Sequence, residues 1–176
     1  MIADVGLLGL PNAGKSTLLS TVTKARPKIA DYPFTTLEPM LGIAQGPGEA
    51  TFVIADIPGL IEGASAGKGL GDKFLKHIER TRLLLHLVDC SALPLDEPEN
   101  AYEMLRKEVA QYSADLADRP VIVVATKVED EECRQRAQQL ATQIQLPVLP
   151  ISSATGQGLR ELTGAIWSML SAVRDA

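Results

Sequence analysis

No apolar run in this chain is long enough to span a bilayer, so neither a membrane-crossing helix nor a membrane partner is expected. The N-terminus also lacks the charged-then-apolar layout of a signal peptide. Cysteine is scarce. Cys90 and Cys133 are the two present, and they have no metal-ligand spacing. A cytoplasmic protein with free thiols is the default expectation, although two cysteines also allow one disulfide. Positive charge is in short supply: 17 Lys and Arg stand against 22 Asp and Glu, a net charge of −5. That balance argues against wholesale electrostatic binding to nucleic acid, and no sequence-specific nucleic-acid partner is expected. One local exception, Lys68, Lys73, Lys76, Arg80 and Arg82, reads as a solvated helix face. Linkers, internal repeats and low-complexity tracts are missing too. The 176 residues, 45% apolar and 22% charged, therefore read as one ordinary globular domain over 1–176.

What the chain does have is Gly9-Leu10-Pro11-Asn12-Ala13-Gly14-Lys15-Ser16, a match to the phosphate-binding P-loop pattern. Its context suits that chemistry. Val5–Leu8 reads as a buried strand before it, and Thr17 begins the first helical turns after it. A loop leaving a strand and entering a helix N-terminus presents unpaired N–H groups and the positive dipole end to phosphate. Glycines let the backbone wrap the anion. Lys15 is expected on the β- and γ-phosphates, and the Ser16 hydroxyl on Mg²⁺.

Apolar runs alternate with helical patterns along the rest of the chain. Strands are expected at Val5–Leu8, Thr51–Asp56, Leu83–Asp89, Val121–Thr126 and Val148–Ile151. Their near-continuous Val, Ile and Leu content suits parallel strands covered on both faces. Helices are expected at Lys15–Thr23, Leu70–Arg80, Glu99–Ala114, Glu131–Ile144 and Leu159–Val173. A further strand, Met40–Ala44, should pair antiparallel with Thr51–Asp56 through Gln45-Gly46-Pro47-Gly48. The resulting fold class is α/β: a three-layer, small G-protein-like P-loop NTPase with about six mostly parallel strands and helices on both faces.

Other segments extend the site. Asp56-Ile57-Pro58-Gly59 follows a strand. An Asp there can hold Mg²⁺ through water, and the Gly59 N–H can bond a γ-phosphate. Asp31-Tyr32-Pro33-Phe34-Thr35-Thr36 offers a threonine hydroxyl to complete the metal shell. The glycine-rich Gly59–Gly71 segment reads as either a loose connector or a mobile switch, and its place after a strand favours the switch. Thr126-Lys127-Val128-Glu129 stands where base recognition belongs, with a carboxylate for guanine N1–H and its 2-amino group. Ser152-Ser153-Ala154-Thr155-Gly156 can offer backbone N–H groups to guanine O6.

Together, G-L-P-N-A-G-K-S-T, D-Y-P-F-T-T, D-I-P-G-L-I-E-G-A and S-S-A-T-G-Q-G-L resemble the GTPase domain of the Obg family, across essentially the whole chain. That resemblance implies a GTP/GDP switch associated with large ribosomal subunit assembly. It places the phosphates on Gly9 to Ser16 and switch I on Phe34, Thr35, Thr36, Leu37 and Glu38. Thr36 is the implied second Mg²⁺ ligand beside Ser16, with Asp56 supporting the metal. Asp56, Ile57, Pro58 and Gly59 form the second phosphate element. Thr126, Lys127, Val128 and Glu129, with Ser152, Ser153 and Ala154, surround the base. The family's flanking domains are not represented, so an excised GTPase domain is expected. Where the family reads Asn-Lys-x-Asp, Thr126 lacks the amide that ties this loop to the P-loop, and Glu129 adds a methylene to the carboxylate. Ser153 replaces an Ala, which leaves the backbone N–H unchanged.

Leu60 stands where many small GTPases carry the water-orienting Gln. Catalysis must then rest on Lys15, Thr36, Gly59 and Asn12. In relatives with Asn at the Asn12 position a K⁺ ion can sit between the phosphates. The plainer reading is that Asn12 tolerates a left-handed loop backbone. The function expected is a slow, Mg²⁺-dependent GTPase. A nucleotide-gated binding module with negligible turnover, or a relaxed-specificity NTPase, are the competing readings.

Overall fold

The computed structural model describes residues 3–10, 13–24, 27–29, 40–57 and 79–175. Pro11, Asn12, the segment from Asp31 through Glu38, and Pro58 through Gly71 lie outside these residues. So do Lys68, Lys73, Lys76 and the helix expected over Leu70–Arg80, except Glu79 and Arg80.

Among the described residues, seven strands form one sheet in the order β2-β3-β4-β1-β5-β6-β7. They are β1 (Val5–Gly9), β2 (Lys28–Ile29), β3 (Met40–Gln45), β4 (Thr51–Asp56), β5 (Leu83–Asp89), β6 (Val121–Thr126) and β7 (Val148–Pro150). Strands β4, β1, β5, β6 and β7 run parallel to one another. The β2–β3 and β3–β4 pairs are antiparallel, as expected for the short connection between the latter two. The seventh strand is β2. Its two residues, Lys28 and Ile29, are exposed, and two residues are too few to leave an alternation in the sequence.

Five helices are described: α1 (Lys15–Val22), α2 (Pro98–Tyr112), α3 (Ala114–Ala117), α4 (Glu131–Ile144) and α5 (Leu159–Asp175). Helix α1 stops one residue before its expected end because Thr23 turns extended and bridges Ala44. The pattern expected to run to Ala114 breaks at Ser113. This residue is extended, and its hydroxyl accepts a hydrogen bond from the Leu116 N–H, capping α3 as a separate turn.

Alternation along the buried strands sorts the core into two layers. Leu83, Leu85 and Leu87 pack with Leu18 and Leu19 of α1 and Leu162, Ile166 and Leu170 of α5. Leu84 and Val88 face the other way, with Leu105 and Val109 of α2 and Ala137 and Leu140 of α4 among the residues of that layer. Each fully buried leucine contributes about 1.5–3 kcal/mol, so β5, buried along almost its whole length, is the centre of the fold. At the antiparallel end, Trp167 of α5 lies against Gly46 of the β3–β4 loop and approaches Phe52 with ring centroids 6.3 Å apart. At the start of the sheet, Asp4 accepts from the Val53 N–H at 2.9 Å and from the Arg82 guanidinium, lacing β1, β4 and β5 together. No helix among the described residues is long and apolar enough to cross a membrane.

Candidate nucleotide-binding site

The C-terminal ends of β4, β1, β6 and β7, four of the five parallel strands, carry the described residues singled out by sequence. β1 delivers Gly9 and Leu10. The Ala13 N–H donates to the Leu10 carbonyl at 3.0 Å, which closes the described part of the loop. Gly14 then takes φ +94° and ψ 21° as the N-cap of α1. A side chain would be strained in that left-handed geometry. It supplies no side-chain cap, and the first turn of α1 contains no acid. The N–H groups at Lys15, Ser16 and Thr17 are thus the orphan donors of a helix N-terminus, with no acid of that first turn competing for them.

Asp56 ends β4 in register with Leu7, and the Ile57 N–H donates to the Leu7 carbonyl at 3.1 Å. This pairing brings the second phosphate element beside the first. Lys15 Nζ lies 3.0 Å from Asp56 Oδ1, with both side chains largely buried. Both Ser16 and Asp56 offer hard oxygens. Among the described residues no group of three or more His, Cys, Asp or Glu could hold a metal. A metal here would therefore draw on hydroxyl, carboxylate and phosphate oxygen rather than on a protein cage.

β6 delivers the base loop. Thr126 is 4% exposed, and its hydroxyl donates to the Ala13 carbonyl at 2.7 Å, with the Val88 carbonyl farther away at 3.3 Å. One hydroxyl has one proton, so the shorter contact carries the bond. The tie to the P-loop that an Asn amide would have made is therefore present, made by a different group. Lys127 is left-handed at φ +60°, and its Nζ lies 3.1 Å from Asp89 Oδ2. Val128 is buried and donates from its N–H to the Ile151 carbonyl at 3.0 Å. Glu129 is exposed. Asp130 caps α4 by accepting from the Cys133 N–H at 2.8 Å, which holds its carboxyl below the usual range.

The last loop is braced from within. Ser152 is fully buried, and its N–H donates to the Gln157 carbonyl at 2.9 Å. Its own carbonyl receives the Gly156 N–H at 2.8 Å, and its hydroxyl accepts from the Thr155 N–H at 3.2 Å. Gly158 takes φ +82°, where a Cβ would also run into the Pro150 carbonyl. Ser153 is half-buried and Ala154 exposed at the rim.

Sequence reasoning missed Asp89. It ends β5 between the P-loop strand and the base-loop strand. Its Oδ1 accepts from the Ser91 N–H at 2.8 Å while Oδ2 meets Lys127. Burial works to raise its pKa, but the Ser91 hydrogen bonds and the Lys127 ammonium outweigh that and lower it. An acid closing the central strand on the ligand side was the available signal.

This arrangement defines an α/β P-loop nucleotide-binding domain. The chain matches the profile described as 50S ribosome-binding GTPase over residues 4–127. It belongs to that family as an Obg-type GTPase domain. It is 50% identical over 177 residues to the GTPase Obg of Syntrophotalea carbinolica, covering 99% of this chain and 50% of that protein. The GTPase Obg of Solibacter usitatus is 53% identical over 169 residues, covering 94% of this chain and 50% of the relative. The chain thus spans about half the length of the curated relatives it matches. Among solved structures, the G domain of the T. maritima FeoB iron transporter superposes with a TM-score of 0.65 at 24% identity, covering 96% of this chain and 99% of that one. The cytosolic domain of the same transporter in a GDP form gives 0.69 at 24% identity, covering 97% and 64%. At that identity the likeness concerns the fold.

Proposed function

We propose that this domain is a Mg²⁺-dependent switch that binds GTP and hydrolyses it to GDP and phosphate, serving large ribosomal subunit assembly within a longer cytoplasmic protein. The ribosomal part of the reading rests on family membership. The nucleotide part rests on one observation: the Lys15–Asp56 pair at the uncapped N-terminus of α1. A lysine and a metal-type aspartate meet where backbone donors await an anion.

In this reading Lys15 leaves Asp56 for the β- and γ-phosphates, and the α1 N–H groups hold the remaining phosphate oxygens. The residues fit Mg²⁺. Ser16 and Asp56 are oxygen donors, and the Lys15 ammonium already stands against Asp56 as a cation would. Thr36, outside the described residues, is the third donor. Mg²⁺ bound there supplies positive charge against the phosphate oxygens. Glu129 accepts from guanine N1–H and the 2-amino group, and the Lys127 stem lies along the base. The Ser153 and Ala154 backbone reaches O6, not the expected Ser152 N–H, which is buried and committed to the Gln157 carbonyl. Water attacks the γ-phosphorus and the bond to the bridging oxygen breaks. Lys15 and the Gly59 N–H would offset the developing charge, and a K⁺ ion held with the help of Asn12 would supply further positive charge.

Leu60 favours a second reading, a nucleotide-gated binding module with negligible turnover, because its side chain gives the attacking water no hydrogen bond. Calorimetric titration with GDP and ADP in Mg²⁺, followed by multiple-turnover phosphate release from GTP and ATP, tests both readings. Tight GDP binding with turnover supports the switch. Tight GDP binding without turnover supports the module, and equal affinity for ADP defeats the guanine assignment.

A further inference from the structure

Asp89 lies outside every motif that identifies the nucleotide site, yet it is an acid paired with the base loop's Lys127. We propose that Asp89 is a positioning residue for base selection, parking the Lys127 ammonium so that the Glu129 carboxylate stays free for guanine. The proposal rests on the guanine reading above.

The geometry carries it in three steps. Asp89 is itself fixed. It closes β5 in register with Thr126, and its Oδ1 is occupied by the Ser91 N–H at 2.8 Å. Its Oδ2 accepts from Lys127 Nζ at 3.1 Å. Lys127 is fixed too. Its left-handed backbone lies between Thr126, bonded to the P-loop, and Val128, bonded to the Ile151 carbonyl. The ammonium is therefore tethered at both ends of its stem.

Charge then decides the rest. The base loop holds Lys127 and, two residues on, the exposed Glu129. A loose ammonium in that loop would be drawn to the Glu129 carboxylate, the group that guanine needs. Guanine's N1–H and 2-amino group would have to displace a full positive charge to reach it. Asp89 removes the competition by giving the ammonium a better carboxylate, one partly buried and already ordered by Ser91. The lysine stem stays straight for the base plane, and Glu129 keeps both acceptor oxygens. The one-methylene extension of Glu129 increases the need for this device, because a longer acid reaches an adjacent ammonium more easily.

A double-mutant cycle tests it. Asp89→Asn keeps an acceptor for the Ser91 N–H and replaces the Oδ2 that accepts from Lys127 by an uncharged amide donor. Calorimetry with GDP, inosine diphosphate and ADP should show GDP affinity falling about 10-fold in D89N, with the GDP-over-inosine-diphosphate preference shrinking. In a Lys127→Met background the same D89N change should cost less than about 2-fold, because the group it controls is gone. Inorganic tripolyphosphate in Mg²⁺ should bind wild type and D89N alike. The proposal is overturned if D89N leaves GDP affinity unchanged, or if its loss is equal with and without Lys127, which would make Asp89 a strand-end brace. If wild type fails to prefer GDP over ADP, the guanine reading fails first, and the proposal goes with it.

Discussion

The Thr126 hydroxyl donates to the carbonyl of Ala13, 113 residues earlier in the chain, at 2.7 Å. This single bond joins the base loop to the phosphate loop in a region where both residues are buried. Removing the hydroxyl without changing shape isolates it. Thr126→Val should destabilise the domain by about 1–3 kcal/mol, because a buried carbonyl loses its donor. Urea unfolding monitored by circular dichroism measures this. A Thr126→Asn variant should come close to wild-type stability and GDP affinity, since the tie already exists.

The remaining departure in the base loop is length. Glu129→Asp shortens the carboxylate arm by one methylene and should raise GDP affinity about 10-fold, the gain of one better-placed charge-assisted hydrogen bond. Calorimetric titration reads it directly. No gain would mean that the loop has adjusted to the longer side chain.

Lys15→Ala removes the phosphate contact and also leaves Asp56 without its ion-pair partner. GDP affinity should fall by about two decades or more, and the midpoint of thermal unfolding should drop as well, because the largely buried Asp56 carboxylate is left without a cation. Unchanged GDP binding in Mg²⁺ would remove the phosphate-site assignment.

His86 offers a test of acid stability. It is 1% exposed in the middle of β5, stacked on Tyr102 at 4.8 Å, with neither ring nitrogen hydrogen-bonded. Burial, helped by Arg106, pushes its pKa down from 6.5 to about 3. Above 6.5 both states are neutral and the group contributes no pH dependence. Below it the unfolded chain takes up a proton that the folded chain refuses. Stability should therefore fall as pH drops from 6.5 toward about 3, at about 1.4 kcal/mol per pH unit. The Asp89 carboxyl, lowered from 3.8, titrates below the upper part of that window. Urea melts at pH 7, 6 and 5 should show the slope, and His86→Phe, which preserves the stacking, should reduce it.

Potassium provides the catalytic test. If Asn12 helps seat a cation between the phosphates, GTP hydrolysis should be faster in KCl than in NaCl at equal ionic strength, and Asn12→Ala should abolish the difference while sparing GDP binding. Equal rates in the two salts would leave Asn12 a loop-shaping residue.

The central strands were readable because burial on both faces leaves continuous apolar runs, as in Leu83–Asp89 and Val121–Thr126. The P-loop was readable because its glycines and lysine are dictated by close contact with phosphate. Ser113 was not, since one extended residue inside a helical spacing changes no periodicity. β2 left no trace because two exposed residues carry no pattern. In the base loop, sequence identified the missing amide at Thr126, but not that the threonine hydroxyl reaches the Ala13 carbonyl of the P-loop. Asp89 went unnoticed because its partner is 38 residues away and only strand order makes them neighbours.

Trp167, the chain's one tryptophan, rests on Gly46 and Phe52 at the antiparallel end of the sheet. Its emission is thus a built-in optical gauge of how firmly the last helix grips the hairpin. Paired with a labelled nucleotide at the P-loop, it lets one titration separate loss of ligand from loss of fold. Denaturant that silences the nucleotide signal first would show the domain loosening at its strand tips while the Trp167 grip still holds.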